Sequence, residues 1–222
     1  MAGQAEPALV VAAALRVEAL ALRGAVPGAR LVRTGMGPRR AAAAAATLAC
    51  SGDGRAPAPS GGGARALAVA GLCASLDPRL LPGDVVVASE VRGPDGTVRC
   101  DGAGPLVAAL ERRGLHAHLG PLVSVDHLVH GDERARLLAT GAIAADMESA
   151  FVAAAAGGPF AVLRVVVDAP GKELRRPGLA VAAVRALWTL RRAAPALQDW
   201  SAGDATTMRS ASHNGVIPKE VT

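Results

Sequence analysis

At 222 residues, 51% of them apolar, the chain is long enough to bury a substantial core and leaves little room for a second domain. Its net charge of +5 is carried almost wholly by arginine, since Lys172 and Lys219 are the only lysines, and guanidinium forks point to an anionic ligand such as phosphate. The apolar run 9–15 falls far short of the roughly 20 residues of a membrane span, which excludes stable membrane insertion by that segment. Glu6 and Pro7 precede it and Arg16 and Glu18 follow it, so no signal peptide is expected.

Cys50, Cys73 and Cys100 form no CxxC pair and read as free thiols of a reducing compartment, so a cytoplasmic protein is expected. Aromatic residues make up only 2% and Tyr is absent, so the core must be built from Ala, Val and Leu. Nucleic-acid binding, the other use of basic charge, lacks both a lysine cluster and an aromatic platform here.

In chain order, aliphatic segments alternate with Ala-rich stretches of helical length, the pattern of an α/β domain with a mostly parallel sheet. Strands are predicted over 9–15, 66–72, 84–91, 119–125 and 160–167, and their continuous apolar character implies burial on both faces. Helices are predicted over 17–23, 39–50, 105–113, 132–139, 147–156 and 178–192. The Gly, Pro and Ser-rich stretch 51–63 and the tail 201–222 read as loosely ordered, which leaves 1–200 as the domain.

The strongest local signal is Asp146-Met147-Glu148-Ser149 at the opening of an Ala-rich helix, followed by the apolar strand 160–167 that ends at Asp168. An acid closing an apolar strand before Ala169-Pro170-Gly171 lies where α/β sheets bind ligands. The same acids also suit a plain role, complementing a helix dipole or capping a turn. Other motifs weigh less. Gly35-Met36-Gly37-Pro38-Arg39-Arg40 imitates a dinucleotide fingerprint, but Arg40 stands where its third glycine belongs. His127 and His130 lack the further ligands a zinc site needs, so no metal is expected. Cys73 reads as a small packed thiol rather than a nucleophile.

Taken in order, Gly35-Met36-Gly37, Gly71-Leu72-x-x-x-Leu76-Asp77-Pro78-x-Leu80-x-Pro82-Gly83-Asp84, Ser124-Val125-Asp126, Asp146-Met147-Glu148-Ser149 and Arg164-x-x-x-Asp168 resemble the nucleoside phosphorylase family, in particular its methylthioadenosine/S-adenosylhomocysteine nucleosidase branch. The Gly71-Leu72 and Ser124-Val125-Asp126-His127 segments are also similar to phosphorylases associated with hopanoid genes, which remove adenine from adenosylhopane. The resemblance spans residues 9–200 and implies a three-layer α/β sandwich with a twisted, mostly parallel central sheet.

It further implies cleavage of the N-glycosidic bond of an adenine nucleoside with a 5′-substituted ribose. Glu148 would accept hydrogen bonds from the ribose hydroxyls, with Met147 packed on the sugar. Asp168 would be the general acid that protonates N7 of the leaving base, and Glu18 matches the carboxylate that activates water. Gly71, Leu128 and Val129 would line the substrate, Leu128 giving aliphatic contact to the base. The loop at Gly35 and Gly37 would offer N–H groups to phosphate beside Arg39 or Arg40, with Arg16 and Arg33 as rival ligands.

No cofactor is required beyond phosphate or water, and phosphate is favoured because the chain is arginine-rich and Leu72 replaces a serine near the nucleophile. The expected partners are a small-molecule nucleoside and a second copy in a homodimer. The alternatives are a nucleoside-binding module that has lost turnover through the changes at Leu72, Ala74 and Ser75, and a nucleic-acid-binding protein.

Overall fold

A computed structural model describes residues 9–50, 66–170 and 179–203. In chain order the elements are β1 (Leu9–Ala13), α1 (Arg16–Leu22), β2 (Arg30–Arg33), α2 (Pro38–Cys50), β3 (Ala66–Ser75), β4 (Val85–Gly93), β5 (Gly96–Arg99), α3 (Ala103–Arg112), β6 (Ala117–Ser124), α4 (Asp132–Ala139), β7 (Ala144–Asp146), α5 (Ser149–Ala153), β8 (Phe160–Asp168) and α6 (Leu179–Ala193). Residues 195–203 continue as helix, so the tail expected from Ser201 begins inside a helical run. The stretch 51–63, Gly178 and the rest of the tail lie outside the described residues.

All eight strands join one sheet. β1 lies parallel between β2 and β3, and β3 continues parallel to β8. β4 pairs parallel with β6 and β6 with β7, whereas β4–β5, β4–β8 and β3–β7 are antiparallel. These pairings close a ring through β3, β7, β6, β4 and β8, with β1 and β2 extending from β3 and β5 from β4. Helices cover both faces: α1 packs with α6 and α2 with α5. The three layers and the mostly parallel pairing expected from the sequence are present, and the sheet is curled into a partly closed barrel.

The most buried strands are the ones with unbroken apolar sequence. β8 is buried at every residue but Val167, and Val85, Val86, Val87 and Ala88 of β4 are likewise enclosed. The small side chains of α2, almost all alanine, favour helix intrinsically and let the backbone approach its neighbours closely. Three strands were not predicted: β2, β5 and β7. Each has three or four residues, and β2 and β5 are edge strands with partly or wholly exposed side chains, so none carries an apolar period.

Two details of the sheet shape the rim at which its strands end. Cys73 pairs with Val166 but Ala74 pairs with Asp168, so Val167 is an extra residue on β8. Such a bulge re-aims the residue after it. Because the ring contains strands running both ways, the ends of β3 and β8 meet the ends of β6 and β7 at one rim. Among the described residues no helix is long and apolar enough to cross a membrane.

The C-terminal helical run is locked by Trp200, which is 1% exposed and stacks on Gly102 before α3. A Cβ at Gly102 would lie 2.6 Å from the indole, and the glycine's backbone is fixed by hydrogen bonds to the Phe160 carbonyl and the Asp101 carboxylate. Gly102→Ala is therefore expected to destabilise the fold by about 1–3 kcal/mol through overpacking. Urea denaturation measures it, and an unchanged midpoint would show that the indole moves aside freely.

Candidate active site

A cavity of about 290 Å³ opens at the rim where the oppositely running strands end. Its wall comprises Ala14, Leu15 and Glu18 after β1, Met36, the end of β3 from Leu72 to Ala74, Val125, His127, Leu128 and Val129 after β6, the segment Ala145–Glu148, and Val167 and Asp168 of β8. Consecutive strand residues normally face opposite sides. Here Val167 and Asp168 both reach the cavity, as the bulge allows.

Glu18 is 2% exposed. Its carboxylate, which the resemblance matches to the one that activates water, points inward from a short helix and lines the cavity. The Leu15 N–H donates to its Oε2 and the Leu72 N–H to its Oε1, each at 2.7 Å. A carboxylate has about four lone-pair sites, so both oxygens retain acceptor capacity toward a molecule in the cavity. A Cβ at Gly71 would stand 2.6 Å from both Glu18 Oε1 and Arg164 Nη1. Gly71 therefore makes room for the site from behind the wall rather than lining it, and Leu72 occupies the wall itself.

The Asp146-Met147-Glu148-Ser149 motif forms a strand end and a helix approach, not a first helical turn. Asp146 closes β7, and α5 begins only at Ser149. Asp146 is a structural acceptor: Ser124 Oγ–H donates to Oδ1 and Ser149 Oγ–H to Oδ2, each at 2.5 Å. Arg164 Nη2 stands 2.5 Å from Asp146 Oδ2 and 3.7 Å from Glu148 Oε2. Arg164 is 1% exposed in the middle of β8, so a full charge sits inside an apolar strand because two carboxylates meet it there.

Glu148 is buried, half-buried Met147 lies beside it, and its Oε1 accepts the Gly37 N–H at 3.1 Å. That N–H was expected to serve phosphate, and it is spent on a carboxylate. Gly35 and Gly37 both have positive φ, so the loop needs glycine for its path. Neither they nor Arg16 or Arg39 line the cavity, although Met36 does. Arg16, Arg23 and Arg33 border a separate groove between α1 and β2, and Arg39 and Arg40 are exposed. Leu128 and Val129 are on the cavity wall as expected, Val129 buried and Leu128 58% exposed at the mouth.

The Asp168 end of the cavity holds a residue that sequence reasoning missed. Arg134, 4% exposed on α4, donates from Nη2 to Asp168 Oδ2 and from Nη1 to the Ser75 carbonyl, both at 2.6 Å. It is the third residue of a charged and mostly exposed helix, where an arginine reads as a solvated surface group. The signal was its place in the first helical turn, where a cation opposes the helix dipole. At the mouth, both ring nitrogens of His127 meet carboxylates, Asp126 at 2.7 Å and Glu133 at 2.8 Å, which pushes the imidazole above its usual value. Burial pushes the Cys73 thiol up to about 12, which rules out a thiolate nucleophile at neutral pH and agrees with a packing role.

The sequence profile of the phosphorylase superfamily matches residues 21–198. The chain belongs to the phosphorylase superfamily. The nucleoside phosphorylase and nucleosidase resemblance drawn from the motifs is thereby borne out. The fold of this superfamily member is similar to the S-adenosylhomocysteine nucleosidase of Streptococcus pyogenes, at 20% identity and a TM-score of 0.67, with 86% of this chain and 94% of that one covered. It is similar to the futalosine hydrolase of Helicobacter pylori at 14% identity and a TM-score of 0.67, covering 88% of this chain and 97% of that one. It also matches the 5′-methylthioadenosine/S-adenosylhomocysteine nucleosidase of Campylobacter jejuni at 13% identity and a TM-score of 0.71, covering 86% and 98%. Among curated proteins none matches the sequence.

The superfamily member's Glu148 carries a testable cost. Burial, followed by the nearby Asp146 and Glu18 carboxylates, holds it above the ordinary 4.5, against the pull of Arg164 and the Gly37 N–H. A raised folded value means the native state keeps a proton that the unfolded chain releases. The associated stability is complete below about pH 4.5 and is lost as pH rises through the folded value. Glu148→Gln is thus expected to gain a few degrees in Tm over the parent near pH 8 and to lose that gain near pH 4.5. Equal differences at both pH values in thermal scans would show that Glu148 is not a strained charge.

Proposed function

We propose that this superfamily member hydrolyses the N-glycosidic bond of an adenine nucleoside whose ribose carries an apolar 5′ substituent. The observation that carries the reading is one cavity whose wall presents Glu18, Glu148 and Asp168 but, among the described residues, no arginine or lysine. Breaking an N-glycosidic bond develops positive charge on the sugar, and fixed carboxylates stabilise charge of that sign as it appears. A phosphate dianion in the same place would meet negative groups instead. The preference for phosphate drawn from the arginine content therefore gives way to water.

In this reading Glu148 accepts the ribose hydroxyls and Met147 packs on the sugar. Glu18 accepts a proton from water as the water's oxygen bonds to C1′. The bond from C1′ to N9 breaks with its electron pair going to the base, and Asp168 gives its proton to N7 so that the base leaves neutral. The negative charge left on Asp168 is received by Arg134, a positioning residue that holds the carboxyl against the end of β3. The exposed apolar side chains of Met36 and Leu128 at the mouth favour a 5′ group without charge.

The deciding experiment incubates the protein with adenosine and its 5′-alkylthio derivatives, with and without phosphate. Free adenine and free sugar at a rate independent of phosphate are expected. Ribose 1-phosphate among the products would establish phosphorolysis instead, and no adenine from any derivative would leave a binding module. Asp168→Asn and Glu18→Gln should each lose at least about a hundredfold in kcat with little change in KM, the lower bound for a positioned acid or base. A 7-deaza analogue, which has carbon where N7 would take the proton, should bind and resist cleavage. Its cleavage at a normal rate, with Asp168→Asn above a tenth of parental turnover, would remove Asp168 from the chemistry.

A further inference from the structure

The outward face of the helix layer formed by α1 and α6 differs from an ordinary soluble surface. On α6, Val181, Val184 and Trp188 are 73%, 68% and 59% exposed, and on α1 Val17 and Leu20 are 49% and 66% exposed. α6 contains no acidic residue, and its charges are Arg185, Arg191 and Arg192. α1 contains one acid, Glu18, which is turned into the active site, while Arg16 and Arg23 stand on the surface. Arg191 Nη1 donates to the Ala21 and Arg23 carbonyls at 3.5 and 3.3 Å, so the two helices present a continuous face. Arg192 lies 4.7 Å over the Trp188 ring, holding a cation and an aromatic group together at the surface.

We propose that this face is a peripheral docking surface for anionic lipid bilayers. Exposed valine, leucine and tryptophan framed by arginine, with no exposed carboxylate among the described residues of the two helices, are what a helix layer needs to lie in the headgroup region. There the apolar groups enter the acyl boundary and the guanidinium groups stay at the phosphates. Charge complementarity selects this occupant over the others. A second copy docked by the same face would set arginine against arginine with no exposed carboxylate, among the described residues of α1 and α6, to pair them. Nucleic acid would satisfy the arginines but leave Val17, Leu20, Val181 and Val184 without partners, since base stacking uses aromatic faces and Trp188 is the one aromatic residue on these two helices. The inference is independent of the reaction proposed above, and it concerns adsorption to a surface, not insertion.

Cosedimentation of the full chain with phosphatidylcholine vesicles, and with vesicles mixing phosphatidylcholine and phosphatidylglycerol, tests it. Binding is expected to the mixed vesicles only, weakening with salt, and Trp188 fluorescence should move to the blue while buried Trp200 contributes an unchanged background. Arg23→Gln with Arg192→Gln should weaken partitioning about thirtyfold, about fivefold per arginine near the surface. Trp188→Ser with Val184→Ser should abolish the binding while circular dichroism stays unchanged, because both side chains are exposed. Equal binding to both vesicle types, no binding, or binding untouched by the Trp188 and Val184 changes overturns the proposal. So does concentration-dependent dimerisation in sedimentation equilibrium, or an oligonucleotide shift, that depends on Trp188 where vesicle binding does not.

Discussion

The guanidinium of Arg164, buried inside the long, largely apolar strand β8, is the interaction on which the rest of the site depends. It reaches from β8 to Asp146 of β7, to the Ser149 hydroxyl at the start of α5, and to within 3.7 Å of Glu148. Removing Asp146, whose carboxylate stands 2.5 Å from the guanidinium, would leave an under-compensated charge in a dry interior, which costs several kcal/mol. The same guanidinium lies behind Glu148 and pulls its carboxyl toward the charged form against the cost of burial. The same crowding explains Gly71, where a side chain would collide with both Arg164 and Glu18.

Ring closure of the sheet supplies the other half of the geometry. In an open parallel sheet the ends of the strands form a crevice on one edge. Here β6 and β7 run against β3 and β8, so the loop after β6 and the Asp146–Glu148 segment face Asp168 across one cavity. The bulge at Val167 turns Asp168 inward, and Arg134 pins it from outside the wall. The Glu148 end and the Asp168 end each have behind them one buried arginine that does not itself line the cavity.

Charge is therefore divided between inside and outside in a way that the net value conceals. The chain is basic, yet the described cavity wall is acidic, and the two buried arginines are both matched to carboxylates. Among the described residues, exposed arginines border the groove at Arg16, Arg23 and Arg33 and stand on the outward face of α6. An arginine-rich composition here reports on what the exterior meets and says little about the ligand of the active site.

The sequence by itself determined the layered α/β architecture, because uninterrupted apolar strands can only be buried on both faces and Ala-rich stretches of helical length must cover them. It also determined the cluster of acids, since Asp146, Glu148 and Asp168 lie at the ends of such elements, and Leu128 and Val129 stand on the wall where the motifs put them. Tertiary structure alone decided the rest. Strands of three or four residues are too short to show a period, so the exposed edge strands β2 and β5 and the buried β7, and with β7 the closure of the ring, were invisible. The resemblance singles out Glu18, but only the fold shows its carboxylate turned inward and held by the Leu15 and Leu72 N–H groups, and Arg134 looks like one more surface cation until α4 docks against Ser75 and Asp168. Burial and pairing of a charge depend on segments that are distant in the chain, and no local pattern encodes which arginine will find a carboxylate 34 residues away.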